Sequence, residues 1–181
     1  SLKLHELYDK LYAIPFPTIC MVHGASIGGA NGLLAASDIV LAESQTQFRF
    51  SEVKLGLIPA TIASYVVKRI GEHAAKYYML TGKSFGANDA QRIGLVDSIG
   101  SQETVETELQ IIINDLNKNS IDAVRSTKEL INKIARLENF EEIKQTAVDT
   151  IAKARISSDG QEGMKSFLEK RKPKWIKDQQ Q

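Results

Sequence analysis

The spacing of apolar residues along the chain changes character twice. Leu4, Leu7, Tyr8 and Leu11 recur at helical intervals, which predicts a helix from the first residues, ended by Pro15 and Pro17. "TICMVHG" then reads as a buried strand, and a stretch rich in glycine follows it. "ANGLLAAS" predicts a short helix of small residues, and "DIVLAES" a second strand. "QFRFSEVKLGLIP" mixes a short strand with a turn leading to Pro59. "TIASYVVKRIG" and "HAAKYYMLTG" read as two helices, the first stopped by Gly71. "SFGANDAQRIGLVDSIG" predicts loop, short helix, a glycine stop at Gly94 and a strand "LVDSI".

From about residue 101 only helical periods remain. Val105, Leu109, Ile112, Ile113 and Leu116 form one stripe, Val124, Leu130, Ile131 and Ile134 a second, and Ile143, Ala147, Val148 and Ile151 a third. A further helix opens in "SSDGQEGMKSFLEK", where Ser158 and Gln161 have the spacing of a capping box. Interleaved strands and helices followed by helices alone predict an α/β core, residues 1–100, carrying a helical region, residues 101–181.

Composition narrows the function classes. With 23 Lys+Arg against 22 Asp+Glu, the balance of charge points to neither nucleic acid nor an anionic membrane. The single cysteine, Cys20, leaves no intramolecular disulfide and reads as a buried structural thiol. Three scattered histidines give no metal-ligand cluster, so no metal is expected. No apolar run approaches the roughly 20 residues of a membrane-spanning helix, and the opening residues do not read as a signal peptide. A soluble cytoplasmic or organelle-matrix protein is the expectation.

Candidate chemistry sits in "VHGASIGGANGLLAASDIVLA". Gly24, Gly28, Gly29 and Gly32 match neither dinucleotide nor P-loop spacing, which weakens any case for nucleotide phosphate binding. What remains is a strand, a tight turn and a helix start near Gly29, a geometry that aims backbone N–H groups at negative charge. If that charge develops only during reaction, the turn is an oxyanion hole; if not, the glycines permit close helix–strand packing. Spacing alone leaves both open. His23, beside the turn, reads as a hydrogen-bonded structural histidine rather than a general base. Tyr65 and Phe50 read as core, with a pocket lining as the alternative.

The stretch "PFPTICMVHGASIGGANGLLAASDIVLAESQTQFRFSEVKLGLIPA", continued by "LTGKSFGANDAQRIGLVDSI" and "SSDGQEGMKSFLEKRKPKW", resembles the crotonase (enoyl-CoA hydratase/isomerase) superfamily. The resemblance runs through essentially the whole chain from about Leu4. "SEVKLGLIPA" with "YVVKRIG" is most similar to bacterial methylglutaconyl-CoA hydratases of leucine breakdown. It implies a crotonase-like ββα spiral core and a C-terminal helical region that mediates homo-oligomerisation, as a trimer or dimer of trimers. The implied ligand is an acyl-CoA thioester, with coenzyme A as part of the substrate and no separate cofactor.

By that resemblance, Gly29 supplies a backbone N–H to the thioester oxygen and Glu52 is the catalytic carboxylate. Gly28, Ala60 and Phe167 fall at substrate-binding positions, Phe167 bordering the adenine, although beside Met164 and Leu168 it reads equally as packing. The basic tail "EKRKPKWIK" is placed to meet CoA phosphates, or is simply solvated. Familiar hydratases carry a second glutamate three residues after the oxyanion glycine; here that position is Gly32. The pattern therefore has one carboxylate. The resemblance also puts a segment with the first oxyanion N–H ahead of this chain's first helix, so a fragment of a longer protein is expected. Reversible hydration of a branched enoyl-CoA, 3-methylglutaconyl-CoA, is the leading reading. A single-glutamate isomerase and a non-catalytic acyl-CoA-binding or scaffold subunit are the rivals.

Overall fold

The computed structural model describes residues 2–176, which fall into two compact units. The first takes in the chain up to Ile14 together with Thr18–Leu109; the second is Pro15–Pro17 together with the chain from Gln110 onward.

In the first unit the chain winds in ββα turns. Helix α1 (Leu2–Ala13) precedes strand β1 (Ile19–Val22), strand β2 (Ala25–Ile27) and helix α2 (Ala30–Ala36). The next turn is strand β3 (Ile39–Glu43), strand β4 (Gln47–Arg49), a 3₁₀ turn at Glu52–Leu55 and helix α3 (Ala60–Thr81). Strand β5 (Phe85–Gly86), helix α4 (Ala87–Arg92) and strand β6 (Ser98–Gly100) complete the spiral. The strands divide between two small sheets. One is parallel, in the order β1-β3-β6, with Ile19 opposite Ile39 and Leu41 opposite Ser98. The other has the order β2-β4-β5, with β2 parallel and β5 antiparallel to β4. This is the ββα spiral the sequence led us to expect.

Central strand β3 is a near-continuous apolar run, as a parallel strand covered on both faces requires, and Val40, Leu41 and Ala42 are fully buried. Phe48, Phe50, Ile62 and Val66 close the core, and the ring of Phe85 stacks on those of Phe48 and Phe50. The expected buried strand "TICMVHG" is β1, but it lies at a sheet edge, half-buried, with Met21 exposed. Cys20 is accordingly half-buried rather than buried. Burial disfavours the thiolate and pushes the Cys20 pKa up, against the opposing pull of the Arg69 charge. Phe50 and Tyr65 are core residues, as read.

Two strands escaped the sequence reading. β2 lies inside the glycine-rich stretch and β5 has two residues, both too short for an alternation to register. The strand "LVDSI" shrinks to its end. Gly94, with φ +80, turns the chain so that the Leu95 and Val96 N–H groups bond to Ala90 O, and pairing begins only at Ser98. Arg69 clamps this turn. Its guanidinium donates to Ser37 O at 2.7 Å, to Leu95 O at 3.0 Å and to Asp97 Oδ2 at 2.8 Å. Gly71, φ +76, breaks α3 where the sequence predicts the first helix to stop.

The second unit is helical. Helix α5 (Gln102–Asn117) leads into it, followed by α6 (Ile121–Ile134), α7 (Phe140–Ile156) and α8 (Ser158–Leu168). Ser120 caps α6 by accepting from Ala123 N, and Asn139 caps α7 by accepting from Glu141 N and Glu142 N. The cap of α8 is Ser157, not Ser158. Ser157 has the extended backbone that a cap needs, and its Oγ accepts from Gly160 N at 3.0 Å. Gln161 instead donates to Arg155 O, so no capping box forms. The four-helix reading holds. Val105 of the first stripe is buried, but the helices of the second and third stripes bury no residue, and Ile131, Val148 and Ile151 stay more than half exposed.

Candidate active site

The glycine-rich stretch becomes a tight corner between β2 and α2. Gly28 takes the left-handed region, φ +57, which glycine adopts without strain, and its N–H donates to Arg49 O at 2.9 Å. Gly29 follows as the cap of α2. Gly28 O accepts from Asn31 N at 3.0 Å, and Gly29 O accepts from Gly32 N at 2.9 Å. The Gly29 N–H itself has no partner among the described residues. A donor with no partner at a helix start is what binding of negative charge requires.

Two buried polar side chains lock the corner. Asn31, 0% exposed, accepts from Ser26 Oγ at 2.8 Å and donates from Nδ2 to Arg49 O at 2.9 Å. The pair joins β2, α2 and β4. Neither residue was singled out from sequence; an asparagine within the otherwise small and apolar "ANGLLAA" was the available signal.

Glu52 opens the 3₁₀ turn just beyond β4, and its side chain lies against the glycine corner. A Cβ placed on Gly28 would stand 3.3 Å from Glu52 Oε1. Oε2 of the same carboxylate is buried and has no hydrogen-bond partner among the described residues. An unsatisfied carboxylate oxygen carries a desolvation penalty of about 1–3 kcal/mol or more, so such an atom is rarely without a purpose.

Gly32 is the tightest position here. A Cβ on it would come within 2.5 Å of Ile62 Cγ2 and 2.7 Å of Tyr8 Cζ, so no side chain fits, least of all a glutamate. Tyr8 fills that volume. It is 0% exposed, and its hydroxyl donates to Gly29 O at 2.7 Å. Burial, and next the Glu52 charge, push the Tyr8 phenol above its ordinary value, so it stays protonated. Sequence periodicity gave Tyr8 only a place on a helical stripe.

The other expected residues fare differently. Ala60 is exposed at the start of α3, with Pro59 before it. His23 is exposed and its side chain makes no hydrogen bond among the described residues, contrary to the structural role expected of it. In the second unit Phe167 is 83% exposed, and Met164 and Leu168 are exposed too, so Phe167 is not packed among the described residues. The tail is not a loose solvated one up to Ile176. Arg171 pairs with Glu162 and Glu169, and Trp175 donates to Lys118 O. Lys177, the last tail residue named above, lies outside the described residues. Among the described residues no group of His, Cys, Asp and Glu could hold a metal, and no helix is long and apolar enough to cross a membrane.

A ββα spiral whose glycine corner presents a free N–H beside a half-buried carboxylate with one buried oxygen is the arrangement the crotonase resemblance implies. The chain belongs to the enoyl-CoA hydratase/isomerase family, whose sequence profile matches residues 1–179. It is similar to an enoyl-CoA hydratase from Shewanella pealeana, 38% identical with a TM-score of 0.90 over 96% of this chain and 64% of that one. Pseudomonas aeruginosa AtuE is 31% identical, with a TM-score of 0.90 over 96% of this chain and 67% of that one. A mevalonyl-coenzyme A hydratase of Aspergillus fumigatus is 32% identical over 163 residues, 88% of this chain and 60% of that protein. The chain thus spans about three fifths to two thirds of the length of such relatives.

Proposed function

We propose that the protein containing this chain hydrates an α,β-unsaturated acyl-CoA, with Glu52 as its proton-transfer group and the Gly29 N–H as an oxyanion donor. The observation that carries the reading is the buried, unpartnered Oε2 of Glu52 beside a glycine corner whose N–H is also unpartnered. In the reaction, Glu52 takes a proton from water while the water oxygen bonds to Cβ. The π electrons move onto the thioester oxygen, which Gly29 N–H stabilises; one such donor is worth roughly 2.7–4 kcal/mol. Glu52 then returns the proton to Cα, the carbonyl re-forms, and the elements of water have been added.

The acyl group we propose is 3-methylglutaconyl, on the resemblance of "SEVKLGLIPA" and "YVVKRIG" to that class of hydratase. Gly28 borders the bound thioester, Ala60 the acyl chain, and Phe167 the adenine, whose place on an exposed helix end its 83% exposure leaves open to a ligand or neighbour. Coenzyme A arrives as part of the substrate and no further cofactor is invoked. The working form is a homo-oligomer, a trimer or dimer of trimers, and the reaction is placed in the cytoplasm. One observation favours a second reading: no carboxylate fits at Gly32, and a lone Glu52 suits proton shuttling between carbons, which is isomerase chemistry.

The test is product analysis with 3-methylglutaconyl-CoA and crotonyl-CoA in ¹⁸O-water, using the whole protein. Label in the product establishes hydration; a shifted double bond without label establishes the isomerase. Glu52→Gln should lose about 10²–10⁴-fold in rate with acyl-CoA affinity largely kept, the range of general acid–base catalysis. Near-normal turnover by that variant would remove Glu52 from the mechanism.

A further inference from the structure

We infer that Tyr8 is a positioning residue of the oxyanion site: its hydroxyl fixes the backbone at Gly29, and its ring fills the place where a second carboxylate would stand. The inference rests on the proposed role of Gly29. Glycine has the softest backbone of any residue, so the direction of its N–H must be set by what holds the peptides on either side. On the N-terminal side, Gly28 N bonds to Arg49 O and Gly28 O to Asn31 N. On the C-terminal side, Gly29 O is held by Gly32 N at 2.9 Å and by Tyr8 Oη at 2.7 Å. Tyr8 is thus the side chain that pins the donor residue directly.

Three further observations fit that task. Tyr8 is 0% exposed, so it acts through Gly29 and does not touch substrate. Its ring meets the edge of Tyr65 with centroids 5.8 Å apart, and the Tyr65 hydroxyl in turn bonds to Asp9, so the phenol is itself braced. The ring also stands within 2.7–2.9 Å of where a Cβ on Gly32 would be. The glycine at 32 and the tyrosine at 8 are therefore one device: the ring needs the absent side chain, and the site keeps one carboxylate because the ring is there.

The variant to make is Tyr8→Phe, which keeps the ring over Gly32 and removes only the O–H. Loss of one net hydrogen bond corresponds to about a two- to tenfold change. In the whole protein we expect kcat for crotonyl-CoA to fall by that factor with KM little changed and Tm lowered by no more than a few degrees. The second readout needs no turnover. Acetoacetyl-CoA ionises to an enolate that absorbs in the near ultraviolet, and its enolate should bind Tyr8→Phe more weakly by a similar factor while free coenzyme A binds equally well. A wild type that fails to hydrate crotonyl-CoA overturns the hydration reading, yet weakened enolate binding in Tyr8→Phe would still support Tyr8. Unchanged kcat and enolate affinity, or a fall in Tm alone, overturns the positioning role and leaves Tyr8 as packing.

Discussion

At the scale of single residues, chemistry here depends on what is missing as much as on what is present. Gly29 lacks a Cβ; one added there would meet Tyr8 Oη at 3.2 Å and Leu4 Cδ2 at 3.6 Å, contacts that a methyl tolerates with small shifts. A branched side chain does not have that latitude. Gly29→Val should press on Tyr8, disturb the corner and crowd any thioester oxygen approaching the N–H. We expect rate to fall by at least the roughly 10²–10³-fold attached to one oxyanion donor, with weaker acyl-CoA binding. Parallel assays of turnover and of acyl-CoA affinity check this, and a folded variant with normal values for both would make the glycines packing devices. Gly29 and Glu52 were legible in the sequence because their neighbours, "IGGANG" and "FSEVKLG", resemble a family motif. Tyr8 and Asn31 were not. Tyr8 meets Gly29 across 21 positions of chain, and no local pattern encodes a contact of that span.

At the scale of elements, helices were legible and short strands were not. The reason is physical: a helix repeats its period over several turns, whereas β2, with three residues, and β5, with two, are fixed by the partner β4 and not by alternation. Glycine stops at Gly71 and Gly94 were read correctly because each takes a positive φ that other residues resist. The chain end after α8 shows a different kind of control, an ion pair that makes an element out of a tail. Glu162 accepts from Arg171 at 2.6 Å and from Lys174 N at 3.0 Å. The hydrogen bond from Arg171 holds the Glu162 carboxyl down at about 2, below its ordinary value. A folded-state pKa below the unfolded one gives stabilisation that is complete above about pH 4.3 and is lost as pH falls through about 2. Trp175, the only tryptophan, lies against Gly163 in the same tail and reports on it. Its fluorescence should therefore change between those two pH values, and in Glu162→Gln it should already be altered at neutral pH. An acid profile identical in the two proteins would show that the pair does not hold the tail.

At the scale of the molecule, the two units differ in how far they satisfy themselves. The first buries a dense set of aromatic and branched side chains, from Tyr8 to Val96. In α6, α7 and α8 the structure has no fully buried apolar side chain, while Phe140, Ile156, Phe167 and Leu168 are each more than 70% exposed. The sequence displayed this contrast as regular stripes, and the stripes predicted helices correctly. What they could not display is what they face, because a period specifies an apolar side and leaves its partner unnamed. Large apolar side chains exposed on a helical unit are the kind of surface that association between chains would cover. The homo-oligomer proposed above is tested at this scale. Sedimentation of the whole protein should give a mass several times that of one chain. Ile151→Glu, a charge set into the third stripe where the native side chain is 52% exposed, should leave the fold of the chain intact and shift the protein toward smaller species. Burial of an unpaired charge in an interface is strongly unfavourable, whereas on a surface that stays in water the same change is worth within about 0.5 kcal/mol. The substitution therefore separates the two cases. If wild type and variant sediment alike as single chains, the stripe faces solvent and the oligomer is wrong.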